Sequence, residues 1–177
     1  MPETDVASAF VLQAREFLKN DYLPKIERCL ESLTDEQVWW RANPESNSIG
    51  NLLLHLSGNA RQWIVSGLGG EVDHRERQRE FDERTLITRK DLLTRLEQTL
   101  EDVDRVLAGF DSNRILERYL IQGTQVTALG AIFHVIEHFS MHTGQIILIT
   151  KMLTRADLRF YEFEDDVPVT HWKAGPA

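Results

Sequence analysis

The chain is poor in cysteine, proline and glycine, and these shortages exclude several classes of protein. Its single cysteine, Cys29, excludes an internal disulfide and any zinc site built from several cysteines. Five prolines and ten glycines in 177 residues are too few for long disordered or collagen-like stretches. With 42% hydrophobic and 27% charged residues, the composition is that of a globular protein, and we expect one domain over residues 1–177.

The sequence also lacks a long apolar run and an excess of positive charge. No apolar run reaches the roughly 18 residues that a membrane span needs. The formal net charge is −8 and the basic residues are interspersed with acids, so nucleic acids and membranes are poor candidates for partners. Residues 1–10 contain two acids and no basic residue, unlike a secretory signal. By elimination, we expect a cytoplasmic location.

Four segments show the 3.6-residue periodicity of amphipathic helices, and none shows the alternation of a strand. They cover residues 6–33, 49–67, 89–110 and 124–153. Pro24 should bend the first helix because it removes a backbone donor. Asn47 or Ser48 can cap the second helix, and Thr88 can cap the third. The sequence therefore predicts an all-α fold, a four-helix bundle.

Two features indicate how these helices are arranged. Residues 68–88 form a long, highly charged connection between the second and third helices, which can cross the bundle rather than turn tightly. The fourth helix has a main apolar face, and much of its opposite side is apolar too, with Val135, Met141, Ile149 and Met152. A helix that is apolar nearly all round is buried on both sides, either by its own bundle or by a second subunit, and the second alternative predicts a homodimer.

Three of the six histidines lie in the fourth helix, at positions 134, 138 and 142. Helical residues four apart are rotated by only about 40° and separated by a rise of about 6 Å, so such a pair can hold one metal ion. His134 and His142 are about 12 Å apart along the axis, too far to share an ion. Spacing alone leaves the pairs 134/138 and 138/142 both open. His55, at the edge of the second helix's apolar stripe, is the candidate third ligand.

Other interpretations of the histidines compete with a metal site. A single histidine on a helix is usually a surface residue or a hydrogen-bonded core residue. His74 lies in the charged connection, where a solvated role is expected, and His171 lies in the C-terminal tail. Residues 134–138 match the zinc-peptidase pattern H-x-x-E-H, with Glu137 as the base, but three fixed residues often match by chance.

Two longer stretches resemble signatures of the DinB/YfiT-like superfamily. Residues 47–59, NSIGNLLLHLSGN, look like its second-helix signature, and residues 134–145, HVIEHFSMHTGQ, look like its closing signature. Residues 70–71 and 75–81, together with the Trp39-Trp40-Arg41 segment, resemble a branch of small DinB-like proteins. The resemblance covers nearly the whole chain.

The resemblance implies a fold, a metal site and a class of reaction. It implies an up-down-down-up four-helix bundle and a divalent metal held by His55, His138 and His142, with His134 outside the ligand set. Nitrogen ligands favour zinc or nickel, with iron and cobalt as alternatives. Relatives in the superfamily include transferases and isomerases that use bacillithiol, mycothiol or glutathione. What the resemblance implies is a thiol S-transferase, in which the metal activates a small-molecule thiol for attack on an electrophile.

Asn51, Asn59 and Gln145 each lie within one turn of a predicted ligand. They are candidates for holding a ligand or orienting substrate, although a plain helix-surface amide is the competing interpretation. No residue in the sequence is a compelling general acid or base. The alternative function is therefore a non-catalytic dimeric stress protein that binds a metal or another ligand.

Overall fold

Helices make up most of residues 5–155 and 157–171, which are the residues described by a computed structural model. The α-helices in this part of the chain are α1 (Val6–Phe17), α2 (Leu23–Glu31), α3 (Asp35–Val38), α4 (Ile49–Ala60), α5 (Arg77–Asp82), α6 (Arg89–Ala108) and α7 (Ala128–Thr154). A π-helical turn, Leu18–Tyr22, joins α1 to α2, and a second, Arg61–Ser66, extends α4. A short 3₁₀ helix occupies Ser112–Arg114.

Helix starts follow the capping residues that the sequence offers. Ser48 caps α4 in a capping box, in which its hydroxyl accepts from the backbone N–H of Asn51 and the Asn51 amide oxygen accepts from that of Ser48. Thr88 caps α6 in the predicted way. The irregularity expected at Pro24 takes the form of the π-helical turn just before it, which places Pro24 in the first turn of α2.

The long helices pack around one apolar core. The α1–α2 segment packs against α6 and α7, and α4 packs against the same two helices. Helices α4 and α7 are antiparallel, because His55 and Asn59 of α4 meet His138 and His134 of α7. Among the fully buried side chains of this core are Ile26, Leu33, Ile49, Leu53, Leu56, Leu96, Phe139 and Ile146. Cys29 is a buried helix residue, as predicted, and burial raises the pKa of its thiol to about 11.

Two β-hairpins correct the all-α expectation. Strand β1 (Arg118–Ile121) pairs antiparallel with β2 (Thr124–Thr127), and β3 (Tyr161–Glu164) pairs antiparallel with β4 (Val167–Thr170). Each turn contains two residues with positive φ, 52° and 74° at Gln122-Gly123 and 49° and 62° at Asp165-Asp166. Such turns match the twist of two-residue hairpins. Strands of four residues are too short for their alternation to stand out in the sequence.

The first hairpin also corrects the start of the last helix. Residues 124–127, predicted as its beginning, are strand β2, and α7 starts at Ala128 with Thr127 as its cap. The charged connection at 68–88 contains α5, which packs against α4. None of the helices in the described ranges combines the length and the apolar character needed to cross a membrane.

Candidate metal centre

One ring nitrogen from each of three histidines meets at a single point between α4 and α7. His55 Nε2 lies 3.0 Å from His138 Nε2, which lies 3.2 Å from His142 Nε2. The ligand nitrogens of all three residues lie within 4.8 Å of one another, and all three side chains are buried. The structure thus brings together the three histidines that the resemblance implied as ligands.

The remaining histidines lie elsewhere. His134 Nε2 is 3.1 Å from Asn59 Nδ2, and its ring packs on Trp63 with centroids 4.0 Å apart, so His134 is not part of the cluster. His74 is exposed in the charged connection, as expected. His171 Nε2 lies 3.2 Å from Glu162 Oε2 at the second hairpin. Of the two pairs that spacing left open, the structure therefore joins 138/142 to His55.

In His55 and His142, the Nδ1 atom points away from the cluster and contacts a neighbouring side chain. These contacts determine which ring nitrogen carries the proton. His55 Nδ1 lies 2.8 Å from Glu80 Oε2, and an ionised carboxylate can only accept, so Nδ1 carries the proton. His142 Nδ1 lies 2.7 Å from Gln145 Oε1 and donates to it in the same way. Both Nε2 atoms are then free to accept, which is the form that binds a metal.

The donor set fits a transition metal. Imidazole nitrogens bind zinc at about 2.0–2.1 Å, so two of them at bond angles of about 90–110° lie about 2.9–3.4 Å apart. The separations of 3.0 and 3.2 Å fall in this range. With its proton on Nδ1, His138 directs a third lone pair at the same point as His55 and His142, and a cation placed there can bind all three. The three histidines can therefore hold a metal ion.

Burial favours the neutral form of the histidines of α7. Burial, together with the neighbouring rings of His142 and His55, lowers the pKa of His138 to about 3. Burial also lowers the pKa of His142 and that of His134. A metal ion competes with protons for the same lone pairs, so a histidine that is neutral at neutral pH binds metal without first losing a proton.

Glu80 is the carboxylate nearest the centre, and Arg75 holds it. Arg75 Nε lies 2.7 Å from Glu80 Oε1 and Arg75 Nη2 lies 2.9 Å from Oε2, a two-pronged ion pair with little exposure. Burial alone would raise the pKa of Glu80, but the hydrogen bonds from Arg75 and His55 outweigh it, and the pKa lies below its usual value. Glu80 is therefore an anion that orients His55.

The fold reserves space for Glu80 and holds the helix that carries it. A β-carbon at Gly58 of α4 would collide with the Glu80 carboxylate, so only glycine leaves room there. The Asn51 side-chain amide donates to the backbone oxygen of Glu80 at 2.8 Å and to that of Glu83 at 3.2 Å. Asn51, predicted to orient a ligand or substrate, lies one turn from His55, and its amide is occupied in joining α5 to α4.

The other two predicted amides contact histidines. Gln145 accepts from His142, and Asn59 contacts His134, outside the cluster. Some buried polar atoms have no hydrogen-bond partner within the described ranges. Among them are Asn59 Oδ1, Trp63 Nε1 and His138 Nδ1. A buried water is the usual partner of such atoms.

A pocket of about 620 Å³ lies against the outer side of the Arg75–Glu80 pair. Side chains of α4, the charged connection and α6 line it, among them Leu54, Arg61, Ile87 and Arg95. The three histidines are not among its lining residues in the described structure. This pocket and the histidine cluster are therefore separate features, with the Arg75–Glu80 pair between them.

Arg75 and Glu80 were not predicted from the sequence as parts of the site. They lie in the segment 75–81 that resembles other DinB-like proteins, but the density of charge in residues 68–88 is typical of a solvated connection. Arg75 and Glu80 are five residues apart in sequence, and this spacing does not indicate that both side chains turn inward to His55.

Comparison with solved structures identifies the fold. A DinB-like protein from Bacillus cereus superposes with a TM-score of 0.63 at 17% identity, covering 80% of this chain and 89% of that one. A DinB-like protein from Bacillus subtilis gives 0.62 at 14%, covering 82% and 94%, and a conserved protein from Enterococcus faecalis gives 0.61 at 14%, covering 88% and 99%. The fold is thus that of a DinB-like protein with a buried three-histidine cluster.

The family follows from the sequence itself. The chain belongs to the family described as protein of unknown function DUF1572, whose model matches residues 5–163. The structural matches confirm the DinB-like fold that the sequence resemblance implied. Among curated proteins, none matches this sequence.

Alanine variants of the histidines test the ligand set. Replacing His55, His138 or His142 should abolish tight metal binding, because each removes one of three converging nitrogens. Replacing His134, His74 or His171 should leave the metal content near that of the wild type. Elemental analysis of the purified variants, checked for folding by circular dichroism, gives the answer. Equal metal content in His134→Ala and His138→Ala preparations that both fold would contradict this ligand set.

Substitutions that keep or remove the side-chain oxygen that accepts from His55 test the role of Glu80. Glu80→Ala should lower metal affinity about 10–100-fold, because His55 loses the group that orients its ring, and Glu80→Gln should lie between this variant and the wild type. Gly58→Ala should mimic the loss by displacing the carboxylate. Competition with a chromophoric chelator measures the affinities, and Glu76→Ala, an exposed change on the same connection, is the control. Unchanged affinity in Glu80→Ala would remove Glu80 from the site.

Proposed function

We propose that this protein is a metal-dependent thiol S-transferase, which joins a small-molecule thiol to an electrophile through the thiol sulfur, with loss of the thiol proton and of the electrophile's leaving group. The observation that carries the proposal is the convergence of His55, His138 and His142 through nitrogens 3.0 and 3.2 Å apart. Three protein ligands leave at least one position for another molecule, which is the arrangement of reactive rather than structural sites. A divalent ion held there lowers the pKa of a bound thiol so that the thiolate forms at neutral pH.

The protein's own residues would serve this chemistry in two ways. The three imidazoles are neutral, so they leave the full charge of the ion available to stabilise an anionic sulfur. Glu80 and Gln145 fix the rings of His55 and His142, so the centre is oriented before a ligand arrives. Phe81 packs on the His55 ring, with centroids 4.6 Å apart, and gives that side of the centre an apolar wall.

The proposal also includes the identity of the metal, the topology of the helix bundle and the cellular location. Zinc or nickel is the proposed ion, with iron or cobalt as alternatives, because all of them accept imidazole nitrogen. The proposed scaffold is an up-down-down-up four-helix bundle, for which the pairing of α1–α2 and α4 with both α6 and α7 is the support. We assign the reaction to the cytoplasm, where low-molecular-weight thiols are kept reduced.

Cobalt substitution tests whether thiols reach the centre. Cobalt-loaded protein should show a new sulfur-to-metal charge-transfer band when titrated with bacillithiol, mycothiol, glutathione or cysteine. A screen of electrophiles with the best thiol should then give turnover that His138→Ala abolishes and His74→Ala keeps. If no common cellular thiol changes the visible spectrum, the transferase proposal is wrong.

A non-catalytic metal- or ligand-binding stress protein is the second candidate. The observation that favours it is that Glu80, the carboxylate in contact with His55, is paired with Arg75 and faces the outer nitrogen of that ring. It is therefore badly placed to act as a general base on a molecule at the Nε2 side. Metal and thiol binding without turnover in the electrophile screen would select this candidate.

We also propose that the chain forms a homodimer through α7. Leu129, Phe133, Met141, Leu148 and Met152 are exposed along this helix, on one side that spans about 140° around its axis. Such a face on one chain can pack against the same face of a second copy across a two-fold axis.

Charge placed on this face should separate the subunits. Phe133→Glu should give monomers, because Phe133 is 56% exposed in one chain and would bury its charge in the dimer. Leu120→Glu is the matched control, since Leu120 is 67% exposed on strand β1, away from this face. Sedimentation of wild type and variants at micromolar concentration is the measurement. A monomeric wild type would contradict the proposal.

A further inference from the structure

Three arginines gather around Phe81, the residue that packs on His55. Arg41 Nη2 and Arg84 Nη1 both donate to the Phe81 backbone oxygen, at 3.5 and 2.6 Å. The Arg77 guanidinium lies over the other part of the same residue, with its central carbon 4.7 Å from the centre of the Phe81 ring. Since that ring lies 4.6 Å from the His55 ring, the three cations border the histidine centre.

These arginines have no ion-pair partner, although the protein is acidic. Within residues 5–155 and 157–171, no carboxylate lies within 4.0 Å of the guanidinium of Arg41, Arg77 or Arg84, and the net charge of the chain is −8. Most other described arginines of the helical core, such as Arg15, Arg61 and Arg75, are paired. Arg28, Arg95, Arg118 and Arg155 also lack an ion pair in the described ranges, whereas Arg41, Arg77 and Arg84 all contact the same residue, Phe81.

The acids closest in sequence are already engaged. Glu80 is held by Arg75, and Asp82 Oδ1 accepts from Gln78 Nε2 at 2.9 Å. Glu83 Oε1 accepts from the backbone N–H groups of Arg84 and Thr85, at 2.9 and 2.7 Å. The Glu83 carboxylate interacts electrostatically with Arg84, but within the described ranges none of these three carboxylates forms an ion pair with Arg41, Arg77 or Arg84.

Arg41 and Arg84 are close enough to repel each other. Both reach one carbonyl oxygen, and burial, followed by the charge of Arg84, lowers the pKa of Arg41. Arg41 is further fixed by hydrogen bonds to the Ser46 backbone oxygen and the Asn51 amide oxygen, so it cannot swing away without breaking them. Two guanidinium groups held together in this way form a ready site for an oxyanion, which relieves the repulsion through charge-assisted hydrogen bonds.

We propose that Arg41, Arg84 and Arg77 form an oxyanion-binding site beside the histidine centre, and that it holds a carboxylate or phosphate group of the substrate. The site lies toward the His142 end of the centre, because Asn51, to which Arg41 donates, precedes His55 by one turn of α4 and α7 runs antiparallel. One turn is a rise of about 6 Å, so a single small molecule can reach both places. The anion-binding site does not depend on the proposed function, whereas the assignment of the anion to the substrate rests on it.

Anion titration of the variants tests the site directly. Calorimetry with inorganic phosphate and with succinate, at constant ionic strength, should show saturable binding of at least one of them. Arg84→Gln and Arg77→Gln should weaken it about tenfold or more, since each removes charged hydrogen-bond donors. Both side chains are exposed and contact only backbone oxygens or a ring, so these variants should fold. Arg118→Gln, an exposed arginine on strand β1, is the matched control and should bind like the wild type.

Three results would overturn the site. These are no saturable binding of either anion, equal weakening in Arg118→Gln and Arg84→Gln, or loss of binding when the metal is removed, which would place the anion at the histidines instead. The preferred anion identifies the chemical group.

In the electrophile screen, Arg84→Gln should raise KM about tenfold for an anionic substrate at little cost in kcat and leave a neutral one unaffected. Equal loss for both substrates would refute the assignment to the substrate, whereas absence of any turnover would count against the proposed function and leave the titration result standing.

Discussion

The hydrogen bond from His55 to Glu80 is the contact on which the rest of the site depends. It joins a ring nitrogen of the central helix α4 to a carboxylate of the long connection, 2.8 Å away. Without it, His55 could present either nitrogen to the centre, and α5 would lose the hydrogen bond between Glu80 and a side chain of α4. Arg75 stabilises the contact, because it keeps the buried Glu80 carboxylate ionised. Burial without a cation would raise the pKa of that carboxylate, and a protonated carboxyl could also donate a hydrogen bond.

The connection is therefore a part of the site as well as a link between helices. Asn51 holds the backbone of α5, Gly58 leaves room for the Glu80 carboxylate, and Phe81 covers the His55 ring. Each of these residues belongs to α4 or to the connection that follows it, so one stretch of about thirty residues, 51–81, builds one half of the centre. Helix α7 builds the other half with two histidines one turn apart.

The parts that could be predicted from the sequence are those determined by local periodicity. His138 and His142 lie one turn apart on a helix, and an apolar stripe brings His55 to the same interior, so their meeting follows from helix geometry. The caps at Ser48 and Thr88 are likewise local. Spacing alone did not choose between His134 and His142. That choice depends on where Asn59 and Trp63 of the facing helix lie, since they engage the His134 ring.

What could not be predicted depends on contacts between segments far apart in the chain. Glu80 reaches His55 across 25 residues, and Arg41 and Arg84 meet at Phe81 from two different loops. A run of alternating charges has the same appearance in a sequence whether its side chains point to water or into the protein. The distinction is energetic: burying Arg75 and Glu80 is tolerable only because each neutralises the other, while three arginines left without such partners retain their charge for another molecule. The pairing pattern of the charges, rather than their number, therefore separates the structural part of this connection from the part that can bind a ligand.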